Sequence, residues 1–197
     1  MNALAAYLDT QVSTTQPYLY PMTVEAYHRM AETGILQHTH GIELIDSRII
    51  RMSPIGSEHA DRVNRLARYF SKIAADDLVI SIQNPVYLSE TSEPEPDLAL
   101  LRPRAQPYRE AHPRAQDVLL IIEVADTSLR YDRDVKIPLC AQHGIPEVWL
   151  LDVTANRLEV YREPVEGDYR VRVKPRRDET LVLSAWADMR VDLQKLF

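Results

Sequence analysis

The run DVLLIIEV, Asp117 to Val124, is apolar after its first residue except at Glu123. Alternation along a strand puts Leu119, Ile121 and Glu123 on one face, with the carboxylate near the strand's carboxyl end. Ligands tend to sit at that end in sheets flanked by helices. A lone ionised carboxylate on an apolar face is costly, so it needs a partner, and a metal ion is one. A second acid, Asp97, opens the extended run DLALL after the proline-rich EPEP. Carboxylates converging from adjacent strands offer the hard oxygen ligands that Mg²⁺ prefers. An acid opening a strand after such a loop is also common without any ion, and the spacing alone leaves Asp97 open between the two.

Other reactive side chains read more plainly. Lys136 follows Asp132 by four residues in RYDRDVK, the favourable order for a surface ion pair on a helix. His38 and His40 form a loop pair without a third ligand, and the ordinary solvated reading is favoured. Cys140 lacks a base partner and reads as a small core residue. Trp149 and Tyr161 sit in strand patterns and are expected in the core or an interface.

These residues need elements to hold them. Thr23 can cap a helix over VEAYHRMAET that ends at Gly34, and GIELIDSRIIRM reads as a hairpin turning near Asp46 and Ser47. From Ser57 onward Ala60, Val63, Leu66, Ala67, Phe70, Ile73 and Ala74 recur at helical spacing. LVISIQ, VYLS, DLALL and DVLLIIEV follow as strands. A helix through RYDRDVKIPLCAQHG should kink or restart at Pro138, and EVWLLDV, RLEVYRE and YRVRVKP close the chain as strands. The order predicts an α/β (α+β) domain with a mixed central sheet flanked by helices.

The chain has 197 residues, 45% of them hydrophobic, enough for one substantial core. Residues 1–21 are expected to form an N-terminal extension and 22–197 a single domain. A formal charge of -6 argues against a protein that coats nucleic acid by charge alone. Local basic stretches remain: Arg102, Arg104, Arg109 and Arg114, then Arg170, Arg172, Lys174, Arg176 and Arg177. One cysteine allows no internal disulfide, and nothing reads as a signal peptide or membrane span. A cytoplasmic location without membrane partners is expected.

The pieces IELIDSRIIRMSP, His59 in SEHADRVNRL, EPEPDLALLRP, IIEVADTSLRYDRDVK and GIPEVWLLD occur in this order. Together they resemble the Uma-two-type restriction endonuclease family of the PD-(D/E)XK nuclease superfamily, from about Met22 to Phe197. The resemblance implies a restriction-endonuclease-like core in which Pro96 and Asp97 are the PD element and Glu123 the (D/E) element. The Val124 carbonyl would be a further metal ligand. Ala125 stands where the motif lysine belongs, and the family's replacement lysine on the next helix matches Lys136. His59 and Asp132 would support the site, although His59 could equally be a hydrogen-bonded structural histidine. The implied activity is Mg²⁺-dependent hydrolysis of DNA, with Mn²⁺ able to substitute, leaving a 5′-phosphate. Arginines after LALL and at Arg130 and Arg133 would contact the phosphate backbone. A homodimer would suit cutting of both strands, although no residue marks an interface. Ala125 also keeps a noncatalytic binding or assembly protein open, and an RNA-directed nuclease would use the same residues.

Overall fold

The computed structural model describes residues 20–37, 41–74, 78–105 and 108–196. Helix α1 (Val24–Glu32) starts where the Thr23 hydroxyl accepts from the Ala26 amide, and Gly34 takes the left-handed conformation just beyond its end. Strands β1 (Ile42–Ile45) and β2 (Arg48–Arg51) form an antiparallel hairpin. Asp46 and Ser47 both have positive φ between them, as a two-residue turn of this hand requires. Helix α2 (Ser57–Ile73) is the long amphipathic helix expected from the apolar spacing.

The main sheet has six strands in the order β3 (Val79–Ile82), β4 (Leu98–Leu101), β5 (Val118–Ala125), β6 (Glu147–Asp152), β7 (Arg157–Val165) and β8 (Asp168–Val173). Only the β5/β6 pair is parallel, which makes the sheet mixed and the fold α+β. Val63, Leu66 and Phe70 of α2 pack on one face, against Leu98, Leu100, Ile122 and Trp149. A second hairpin, β9 (Thr180–Leu183) with β10 (Trp186–Asp192), covers the same face and was not foreseen. The opposite face holds Ile121, Ala125, Val148 and Leu150 against a helical segment.

That segment departs from expectation in an instructive way. It runs as α3 (Leu129–Tyr131), a single π turn over Asp132–Lys136, and α4 (Ile137–Gln142). The Ile137 amide reaches back five residues to the Asp132 carbonyl. A proline ring at position 138 crowds the carbonyl four residues earlier, and widening the preceding turn by one residue relieves that crowding without a break. The π turn also re-aims Lys136.

Two other expectations fail locally. The pairing of β4 with β5 shifts register between Leu100 and Leu101, so Leu119 is an extra residue in a bulge. Its side chain therefore joins Leu120 and Ile122 on the α2 side rather than Ile121 and Glu123. VYLS makes only isolated bridges among the described residues, from Tyr87 to Arg114 and from Ser89 to Ser92, and forms no strand. His38, His40 and residues 1–19 of the expected extension lie outside the described residues.

Glu159 on β7 is bonded by Arg133, Lys174 and the Tyr161 hydroxyl, tying the π turn to β7 and β8. Burial would raise its carboxyl, but these bonds prevail and hold it at about 2 against an ordinary 4.5. Its stabilising contribution is therefore complete above pH 4.5 and is lost as pH falls toward about 2. Denaturation curves across that window should show Glu159→Gln losing less stability on acidification than the parent; equal losses would contradict this.

Candidate active site

The antiparallel register of β4 and β5 pairs Leu98 with Ile122, so Asp97, one residue before β4, stands opposite Glu123 near the end of β5. Two acids 26 residues apart in the chain are thus brought side by side, and the Asp97 amide lies 3.4 Å from Glu123 Oε2. Asp97 Oδ2 accepts from the Val124 amide at 2.8 Å, and its Oδ1 meets His59 Nε2 at 2.9 Å. His59 stands in the first turn of α2. The bond to Asp97 raises its pKa against the opposing effect of burial, and the Val124 carbonyl and Asp126 add to the rise.

Lys136 reaches the same point from the π turn. Its Nζ lies 2.7 Å from Glu123 Oε1, 3.5 Å from Glu43 Oε2 and 3.4 Å from the Glu95 carbonyl. The expected surface ion pair with Asp132 is not what holds it: the ammonium is buried and pairs with Glu123 and Glu43, while Asp132 accepts from the Ser128 hydroxyl. In an E-X-K strand motif, alternation sets the lysine on the same face as the acid. Here Ala125 occupies that place in the apolar packing, and the facing helical segment delivers the ammonium instead.

Burial is severe and the charges are uneven. Burial alone disfavours the Lys136 ammonium, but Glu123, Glu43, Asp132 and Asp97 together hold its pKa well above the ordinary range. Burial pushes Glu123 upward, with Asp132 and Asp97 adding to the rise and Lys136 opposing it. Glu95, at about 7, is raised first by burial and then by Glu43. Five acids thus share the field of one ammonium. Moreover, Glu123 Oε1 is buried and is met by the Lys136 ammonium at 2.7 Å. A cluster in which buried carboxylates outnumber the one ammonium fits a divalent cation.

The cluster lines an open cavity of about 620 Å³ that also includes Arg51, Asp126, Thr127 and Tyr131. Sequence reasoning missed Glu43, which accepts from the Glu95 amide and the Tyr131 hydroxyl and braces Lys136. A carboxylate within the buried strand IELI was a signal of the same kind as Glu123. The basic stretches lie elsewhere. Arg109 and Arg114 line a different cavity, Arg130 pairs with Asp134, and Arg133 pairs with Glu159. Arg170, Arg172 and Arg176 pair with nearby exposed acids, as solvated surface charge does, and Lys174 joins the Glu159 cluster. Trp149, Tyr161 and Cys140 are buried core residues.

Residues 24–194 match the model of the family Uma2, described as "Putative restriction endonuclease". The chain belongs to this family. Its fold is also similar to a crystal structure from Anabaena variabilis described as "a putative nuclease belonging to DUF820", with a TM-score of 0.66 at 15% identity. That likeness covers 90% of this chain and 98% of the other. No functionally curated protein matches the chain. Among the described residues of this Uma2 chain, no helix is long and apolar enough to cross a membrane.

Removing Lys136 should expose the cost of the surrounding acids. Lys136→Met is expected to destabilise the fold by about 3–5 kcal/mol, because it leaves buried carboxylates uncompensated. Adding Glu123→Gln should recover part of that loss in urea denaturation. Strictly additive effects of the two changes would contradict the coupling.

Proposed function

We propose that this Uma2 chain is a metal-dependent endonuclease that hydrolyses DNA phosphodiester bonds. The observation that carries the reading is the meeting of Asp97, Glu123 and Lys136 in one cavity, where buried carboxylates outnumber the one ammonium among them. Membership of the Uma2 family, with the description quoted above, supports the nuclease class. Asp97, Glu123 and the Val124 carbonyl would hold Mg²⁺, or Mn²⁺ in its place. Such an ion, when bound, offsets charge on the phosphoryl group and lowers the pKa of water beside it.

The chain's own groups divide the remaining work. Lys136 orients the attacking water and donates to a nonbridging phosphate oxygen as negative charge grows there. Water oxygen would bond to phosphorus as it gives up a proton to solvent, the bond from phosphorus to the 3′ oxygen would break, and that oxygen would take a proton from solvent, giving a 5′-phosphate and a 3′-hydroxyl. Glu43 acts as a positioning residue that holds the Lys136 ammonium, and Tyr131 braces Glu43 in turn by donating its hydroxyl to it. His59 orients the Asp97 carboxylate through its ring nitrogen. Asp132 adds to the field that keeps Lys136 charged. Arg51, at the cavity wall, is placed to meet the phosphate backbone, a contact that positions without reading sequence.

The ammonium beside Glu123 supports the catalytic reading, because it stands where a water or phosphate oxygen next to a metal held by Glu123 would meet it. Action in the cytoplasm, as a homodimer cutting both strands, is consistent with this reading.

Supercoiled plasmid should be nicked or linearised with Mg²⁺ or Mn²⁺. Glu123→Gln and Asp97→Asn should lower the rate by about 100-fold or more while keeping the fold. Single-stranded RNA serves as the competing substrate. Equal cutting by Glu123→Gln would overturn the assignment, and preferential cutting of RNA would reassign the substrate.

Metal binding has its own readout. Mn²⁺ at about 100 times its Kd should stabilise the fold by about 2.7 kcal/mol, seen as a raised Tm. The rise should vanish in Asp97→Asn, and its persistence there would place the ion elsewhere.

A further inference from the structure

A second cavity, of about 680 Å³, shares no lining residue with the first. His28 from α1, Glu93 and His112 meet in it, with one ligand atom from each lying within 4.8 Å of the others. The three residues come from distant parts of the chain, and no spacing motif announces them. Glu93 is 2% exposed, and its backbone is pinned by a 2.7 Å bond from its amide to the Leu44 carbonyl. One of its carboxylate oxygens meets His28 Nε2 at 2.5 Å. The other, Oε1, is buried and has no hydrogen-bond partner.

An ordinary histidine–glutamate ion pair explains the first oxygen but leaves the second costly and idle. A cation explains both, and His112 completes the set. Its ring lies 6.1 Å from that of His28 in an edge-on arrangement, so the two imidazoles converge without stacking. His112 is exposed, while its neighbour Pro113 is anchored by the bond from the Tyr87 amide to the Pro113 carbonyl. That leaves the ring free to close on an ion without moving the backbone.

We propose that His28, Glu93 and His112 form a binding site for a borderline divalent transition metal of the Zn²⁺ type, separate from the Asp97 cluster. Two imidazoles and one carboxylate suit Zn²⁺ and Co²⁺ rather than Mg²⁺, which prefers oxygen alone. Three protein ligands leave a fourth position open to the cavity. The bound ion ties α1 and the loop carrying His112 to the extended segment Glu93–Asp97, the same segment that delivers Asp97 to the first cavity. The proposal stands independently of the nuclease reading.

Cobalt titration of the full chain, stripped of metal by chelator and dialysed, tests it. Co²⁺ should bind with one equivalent at this site, giving visible absorption bands of a four- or five-coordinate ion that Zn²⁺ displaces. Glu123→Gln should keep these bands. Glu93→Gln should lose them, and the exposed change His112→Gln should weaken Co²⁺ binding by about 10-fold or more. His112→Gln guards against misfolding as the cause, because its metal-free Tm should match the parent. Absence of the bands in the parent, bands untouched by His112→Gln, or bands abolished by Glu123→Gln would each overturn the proposal.

Discussion

The contact between the Lys136 ammonium and the Glu123 carboxylate is the constraint around which the rest of the fold is arranged. Both groups are buried, at 2% and 3% exposure, and each needs charged or hydrogen-bonding partners there. Attraction at 2.7 Å offsets part of the desolvation, and the Glu43 carboxylate and the Glu95 carbonyl supply the ammonium's other partners. Replacing such a group of charges with apolar side chains commonly costs nothing in stability. Its presence in the core is therefore no sign of added stability, and the proposed metal-binding role would give it a reason to be there.

Each neighbouring element serves that contact. The antiparallel β4/β5 register sets Asp97 opposite Glu123, α2 brings His59 to Asp97, and the β1/β2 hairpin inserts Glu43 beneath the lysine. The π turn ahead of Pro138 aims Lys136 at the sheet, and the Arg133–Glu159 bond fastens that turn to β7. The segment Glu93–Asp97 links this site to the His28 cluster, so one short run of alternating prolines and acids contributes to both cavities.

Much of this was legible in the residues. The cap at Thr23, the turn at Asp46 and Ser47 and the period of α2 follow from local chemistry that tertiary packing does not override. Glu123 was conspicuous because an apolar strand exposes an anomaly. Lys136 was not, since its spacing from Asp132 is that of a common surface pair, and only the family resemblance pointed to the site. The π turn explains the difference: it replaces helical i, i+4 geometry at the residue that matters. Glu43 escaped notice because one acid in a four-residue strand looks like the wet side of a hairpin, whereas all four residues are buried. The bulge at Leu119 depends on a register shift that no pattern within β5 records. Nor could spacing reveal His28, Glu93 and His112, whose proximity exists only after folding.

Anomalous diffraction from crystals soaked in Mn²⁺ addresses the central claim most directly. A single strong peak within coordination distance of Asp97, Glu123 and the Val124 carbonyl, with the Lys136 amine beside it, is the expected result. A map with no peak there, while the same crystals take up Mn²⁺ elsewhere, would contradict it.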